Sequence, residues 1–212
     1  MSDMSRDQFG ERFGVSHETL DRLRTYETLL RKWNPRINLV APSTLKDVWR
    51  RHFHDSAQLL ALAPMDVRVW ADLGSGAGFP GLVLAILAME KRPGARFHLV
   101  ESDRRKAVFL NEAIRNTGAP ADVHAGRIES LLALRADTLS ARALAPLERL
   151  LPMVLRHGKP ETVALFLKGR NHPGEIASAS KRFDFDCEVV PSEIDPEGVI
   201  LKIQRVKERN LG

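Results

Sequence analysis

The chain has 212 residues, of which 43% are hydrophobic, 32 are Lys or Arg, 27 are Asp or Glu, and one is cysteine. This length and apolar content support one large domain with a sizeable core and argue against a disordered chain. The lone Cys187 excludes an internal disulfide, a Cys-x-x-Cys motif and a cysteine-based zinc site, and the formal charge of +5 suits a polyanionic partner.

In chain order, Met1 to Gly14 is charged and poor in apolar residues, unlike a secretory leader. Within it Ser5 to Phe13 reads as a short helix. Ser16 is placed to cap a longer helix, with Leu20, Leu23, Leu30 and Trp33 as its apolar stripe. That helix should stop before Asn34 and Pro35, leaving a loop with Asn34 and Asn38 in turns. Ser43 should cap another helix running through Leu62. Inside it His52 and His54 are two apart and face different ways, whereas His52 and Asp55 share a face, as do Arg51 and Asp55. No metal site is read there; the residues suit a hydrogen-bonded group that shapes a pocket.

From Val67 strand and helix alternate. Strands are predicted near 67–72, 96–101, 121–125, 137–143 and 161–168, and helices near 80–90, 103–117, 128–134, 147–157 and 173–182. Asp184 to Pro191 and Gly198 to Val206 read as a closing hairpin, an antiparallel pair at one end of a mainly parallel seven-stranded sheet. The chain thus reads as residues 1–62, an N-terminal helical extension, packed on 63–212, an α/β Rossmann-like domain, in one compact unit. Its longest apolar run, Leu82 to Met89, is too short to span a bilayer, and we expect a cytoplasmic protein.

The most informative stretch is Val67 to Gly81. Val67 to Ala71 reads as a buried strand closed by Asp72, and Gly74, Gly76 and Gly78 follow at every second position. Pro80 then stands where a helix should begin. Strand, glycine turn and helix let a backbone press against a nucleotide-like ligand. A dinucleotide fingerprint fails, because its third glycine would fall on Phe79. The pattern Asp-x-Gly-x-Gly-x-Gly instead resembles the first motif of S-adenosylmethionine-dependent methyltransferases. The next strand ends in Glu101, which follows Gly74 by 27 positions and suits the two ribose hydroxyls.

Further landmarks share one order and spacing: Trp33-Asn34 with Asn38-Leu39, Arg51-His52 with Asp55-Ser56, Asp72 to Gly81, Glu101-Ser102, Gly126 to Glu129, Ser140 to Ala143 and Leu167 to Gly169. Together they resemble the bacterial small-subunit (16S) ribosomal RNA guanine-N7 methyltransferases, the glucose-inhibited division protein B family, over most of the chain. The resemblance implies a class I methyltransferase fold and cofactor contacts on Gly74, Phe79, Ile128, Glu129 and Arg142. Asp72 and Glu101 join them on chemical grounds, for the amino group and the ribose. Gly76, Gly78 and Ser102 complete the expected cofactor set. Arg142, His52, Asp55 and Lys168 are expected to serve catalysis. Arg36, Asn38, Arg51, Arg127, Lys168 and Arg170 are expected to meet RNA. One departure is Ala141, where serine is expected in the family.

Elimination narrows the chemistry. Methylation at pyrimidine C5 needs a thiolate, and Cys187 lies far along the chain from the fourth strand. Amine methylases carry an Asn- or Asp-Pro-Pro-aromatic motif where this chain reads Arg142-Ala143-Leu144-Ala145-Pro146. Guanine N7 needs neither device, only in-line positioning. The choice of N7 itself comes from the resemblance, as does the expected partner, small-subunit ribosomal RNA or the subunit, met by a monomer without metal or membrane. Alternatives are methylation of another RNA position or of a small molecule, and a non-catalytic cofactor-binding module. A short-chain reductase is disfavoured, because the only tyrosine, Tyr26, is followed four positions later by Leu30 and not by lysine.

Overall fold

The computed structural model describes residues 4–209. Residues 1–3 and 210–212, the outer ends of the two predicted segments, lie outside them. Helix α1 (Arg6–Phe13) opens with a capping box in which Ser5 and Gln8 exchange side-chain-to-backbone hydrogen bonds. Helix α2 (His17–Ile37) is capped by Ser16 and buries Leu20, Leu23, Tyr26 and Leu30.

Seven strands follow: β1 (Val69–Leu73), β2 (Arg96–Glu101), β3 (Ala121–Ala125), β4 (Ala136–Arg142), β5 (Gly158–Lys168), β6 (Phe183–Pro191) and β7 (Val199–Glu208). They form one sheet in the order β3-β2-β1-β4-β5-β7-β6. The pairs among β1 to β5 are parallel, and β7 runs antiparallel to both β5 and β6. The expected hairpin is therefore present, with β7 inserted between β5 and the edge strand β6. Strand order reverses between β1 and β4, and such a switch point leaves a crevice at the carboxyl ends of the strands.

Both faces of the sheet are covered, which is why the central strands are apolar on both sides. One face carries α2, α4 (Gly81–Lys91) and α5 (Arg104–Thr117), with Trp70, Phe97 and Leu99 from the sheet. The other carries α6 (Leu147–His157) and α7 (His172–Ala179), with Leu73, Val100, Leu139 and Phe166. The first core contains Phe9, Leu23 and Leu30 as well as Phe97 and Leu99, so it runs through the predicted boundary at residue 62.

Three predicted elements differ. Helix α2 does not stop before Asn34 but continues past Pro35 to Ile37. Asn34 is buried and its Oδ1 accepts from Val40 N at 2.8 Å, while Asn38 closes the helix in the left-handed conformation and donates its N–H to the Asn34 carbonyl. This tertiary anchoring outweighs one missing N–H at Pro35. The helix from Ser43 to Leu62 is a succession of short turns: 3₁₀ over Pro42–Asp47, π over Trp49–His54, α3 (Asp55–Ala57) and 3₁₀ over Gln58–Ala61. Ser43 lies inside the first turn and caps nothing. The helix at 128–134 reduces to a 3₁₀ turn, Ile128–Ser130. Beyond it Leu131 and Leu134 still pack on the core, but Leu132 is 90% exposed and Arg135 takes a left-handed conformation that a continuing helix excludes. Pro80 caps α4 from outside, after a cis Phe79–Pro80 peptide, and Gly81 takes the first helical position.

Gly81 shows how closely α4 approaches the sheet. A Cβ there would stand 2.5 Å from Leu99 Cδ2 and 2.7 Å from Asp72 Oδ2. Asp72 itself is completely buried, with its Oδ1 accepting from Ser140 Oγ at 2.6 Å. Burial raises its pKa from 3.8 to about 6, partly offset by the Ser140 hydroxyl. Gly81→Ala should destabilise the fold by about 1–3 kcal/mol through overpacking, read from the urea midpoint. The native Asp72 carboxyl holds its proton more tightly than the unfolded one between pH 4 and 6, so its contribution to stability falls as pH rises through that window. Asp72→Asn, which stays neutral, should gain melting temperature relative to the parent on going from pH 4 to pH 7. A difference constant with pH would rule out the raised pKa.

Candidate functional site

The site gathers at the carboxyl ends of β1, β2 and β4. After β1 the chain turns through Gly74, Gly76 and Gly78, all at positive φ, where side chains other than glycine are strained. The three glycines do different work. Gly76 is open, since a Cβ would meet only the Gly74 carbonyl at 3.9 Å. Its N–H donates to Glu101 Oε2 at 2.8 Å. Gly74 is partly exposed and covered by Leu144, whose Cδ1 would lie 2.5 Å from an added Cβ. Gly78 is buried against the Tyr26 hydroxyl, which donates to the Ala77 carbonyl. Gly78 therefore seats the turn on α2. Asp72, with no exposed surface, likewise stands behind the turn, its Oδ2 without a hydrogen-bond partner among the described residues.

Glu101 lies at the end of β2 and is only 7% exposed. One oxygen takes the Gly76 amide and the other takes Asp103 N at 2.7 Å, so the carboxylate ties the glycine turn to the start of α5. Each oxygen keeps a second lone pair for a further donor. Ser102 beside it is exposed. Across the crevice Ile128 is buried, with its carbonyl facing His157 Nε2 at 3.1 Å, and Glu129 is exposed.

Arg142 ends β4 and reaches across to the 42–61 segment. Its Nη1 donates to Asp55 Oδ2 at 3.1 Å, its Nη2 donates to His52 Nδ1 at 3.2 Å, and its guanidinium lies 5.0 Å from the centre of the Phe79 ring. The π turn and α3 present His52 and Asp55 on this side, as their shared face predicts, while His54 turns away to Glu193. Arginine can only donate, so His52 Nδ1 accepts and Nε2 carries the proton toward Thr44 Oγ1, 2.8 Å away. Burial, then Arg142 and Arg51, push the His52 pKa down to about 3. The imidazole is neutral and stacks on Phe79 at 4.7 Å. Burial raises the Asp55 pKa, opposed by Arg142. Both residues thus act on Arg142: they position it, and the expected catalytic role does not follow from their own contacts.

Beside Arg142 opens a cleft of about 590 Å³, lined by Arg51, His52, Asp55, the 143–146 loop, Lys168 and Asp195. Lys168 is not free for RNA or for chemistry. Its side chain is 9% exposed, and its Nζ donates to the Ala145 carbonyl at 2.6 Å and to Glu175 Oε2 at 2.7 Å. Of the other residues expected at RNA, Arg36, Arg51 and Arg127 are exposed. Asn38 serves as the α2 cap. Arg170, exposed, pairs with Glu197. Sequence reading missed Thr44, Ser140, Glu175 and Asp195. Only Ser140 lay in a motif, and the others are brought in by the fold. Among the described residues no group of three or more His, Cys, Asp or Glu side chains is placed to hold a metal ion, and no helix is long and apolar enough to cross a membrane.

An open glycine turn beside a nearly buried carboxylate, at the switch point of the sheet, fits a nucleoside-bearing cofactor. Solved structures share the architecture at low identity. A mutant of MtNAS in complex with S-adenosylmethionine aligns with TM-score 0.58 and 16% identity, covering 95% of this chain and 84% of that one. An O-methyltransferase from Bacillus cereus in complex with SAH aligns with TM-score 0.57 and 15% identity, covering 85% and 90%. Sequence relatives are much nearer. A ribosomal RNA small subunit methyltransferase G from Rhodospirillum centenum is 55% identical over 203 residues, covering 96% of this chain and 92% of the relative. One from Parvibaculum lavamentivorans is 54% identical over 200 residues, covering 93% and 88%. The family described as rRNA small subunit methyltransferase G matches residues 19–195. With the glycine turn, Glu101 and Arg142 assembled at one crevice, and with that match spanning most of its length, the chain belongs to the rRNA small subunit methyltransferase G family.

Proposed function

We propose that this chain transfers a methyl group from S-adenosylmethionine to N7 of a guanine in small-subunit ribosomal RNA. The observation that carries the reading is the meeting of the glycine turn and Arg142 at the β1/β4 switch point, next to a cleft open to a second substrate. When bound, S-adenosylmethionine supplies a methyl carbon on a positively charged sulfur, which a guanine N7 lone pair takes in one displacement with no proton to remove.

The roles of the chain's own residues follow from their chemistry. Gly74 and Gly76 would leave room for the cofactor against the backbone, and Glu101 would accept from its ribose hydroxyls. Ile128 and Glu129 would border its adenine side. Phe79 and Arg142 would close its methionine end. Asp55 and His52 hold Arg142 still, so that little reorganisation is needed when the substrates meet. His52 is not placed as a general base, which agrees with N7 as the nucleophile: it is neutral, donates from Nε2 and accepts Arg142 on Nδ1. Arg51 at the cleft, with the exposed Arg36 and Arg127, contributes phosphate contacts. The protein works as a monomer in the cytoplasm, where its ribosomal substrate is found.

Labelled methyl transfer to small-subunit ribosomal RNA and to small subunits, followed by nucleoside analysis, should yield 7-methylguanosine. Arg142→Ala should lower kcat/KM at least about 100-fold, because it also strands Asp55 at the crevice. Another labelled nucleoside would keep the cofactor and overturn N7. In a pH profile of kcat/KM, His52 at about 3 should contribute no limb between pH 5 and 9. A limb near 6.5 that disappears in His52→Asn would show instead that the imidazole titrates during turnover.

A further inference from the structure

The loop after β4 touches both halves of the site. Ala143 sits at φ +52°, a conformation that a residue other than glycine keeps only when its surroundings enforce it. Leu144 packs on Gly74, while residues 143–146 also form a wall of the 590 Å³ cleft. The loop is therefore a partition, with the glycine turn on one side and the cleft on the other.

Three tethers hold it. At its start Arg142 is fixed by Asp55 and His52. At its end Leu147 N donates to Glu175 Oε2 at 2.8 Å. In its middle the Ala145 carbonyl accepts from Lys168 Nζ, and the same ammonium pairs with the same Glu175 oxygen. Lys168 and Glu175 side chains are 9% and 19% exposed. An ion pair this enclosed is costly to break from one side only, because the remaining charge is left without its partner. These two residues come from β5 and α7, neither of which supplies any residue of the glycine turn.

We infer that Lys168 and Glu175 are positioning residues that clamp the 143–146 partition, and so set the distance and angle between the cofactor's methionine end and the base in the cleft. This rests on the placement of S-adenosylmethionine at Gly74. The pair borders the cleft, and its hydrogen bonds run between its own members and to the backbone of the partition. Its effect passes through the Ala145 carbonyl and the Leu147 amide to Leu144 and the cleft wall. Ground-state binding on either side should be little affected, since the main anchors of both substrates lie elsewhere.

The test compares the parent chain with Lys168→Met, Glu175→Gln, the double variant and Lys168→Arg. Lys168→Met should lower kcat at saturating cofactor and ribosomal RNA about 10- to 100-fold, with the S-adenosylmethionine Kd and the RNA KM changed by less than about threefold. The double variant should be no worse than about the poorer single one, since both act on one partition, and Lys168→Arg should recover part of the loss. Amide exchange should rise about tenfold or more in residues 143–150 of Lys168→Met and stay unchanged in residues 97–101, which separates a loosened partition from a loosened fold. Unchanged kcat, multiplying single effects, or exchange that rises equally in both segments would overturn the clamp. Failure of the parent chain to bind S-adenosylmethionine would instead overturn the glycine-turn reading, while the exchange data would still decide whether the clamp holds the partition.

Discussion

A guanidinium at the end of a central parallel strand is tolerable only if charge and hydrogen-bond partners come to meet it. Arg142 receives them from a distant part of the chain: Asp55, His52 and the face of Phe79. This single constraint explains why the segment before the sheet abandons a regular α-helix. The π turn at Trp49–His54, followed by α3, brings His52 and Asp55 to one side and sends His54 to Glu193. Irregular helical turns of this kind cost backbone hydrogen bonding and commonly accompany functional sites. The N-terminal helices are thus a wall of the site as well as a cover for one face of the sheet.

The glycine turn depends on support from behind. Tyr26 of α2 reaches the Ala77 carbonyl, Gly81 lets α4 rest on Asp72 and Leu99, and Glu101 holds the Gly76 amide from the side. Part of this turn is exposed at the crevice, at Gly74 and Gly76. The buried part, Gly78 and Asp72, belongs to the packing that keeps the exposed part in place. The sequence motif merges these two duties because both call for residues without bulk or with a short carboxylate at fixed positions.

Much of the architecture was legible before any coordinates. Strand and helix alternation from Val69 onward, the β6–β7 hairpin and the carboxylate at Glu101 followed from apolar runs, turn residues and spacing, which are local properties. Two polar side chains take on duties that their local pattern does not show. Asn34 looked like turn chemistry after a helix, yet its buried side chain caps the turn from inside and lets α2 pass Pro35. Lys168 stood in a motif and looked like a free cation, yet Ala145 and Glu175 enclose it.

The sequence by itself determined the fold class, the glycine turn, the carboxylate after β2 and the family, since each is written in short-range pattern and spacing. Only the tertiary structure decided which of those residues are open at the crevice and which are packed behind it. Burial separates Gly76 from Gly78, and hydrogen-bond partners separate Glu101, tied to the glycine turn, from Asp72, tied to Ser140; both depend on what α2, α4 and β4 place behind each residue. The tertiary structure also supplied Thr44, Glu175 and Asp195, which lie on three different elements and meet only at the cleft. No spacing rule connects them, because the distance between them along the chain carries no information about their distance across the sheet.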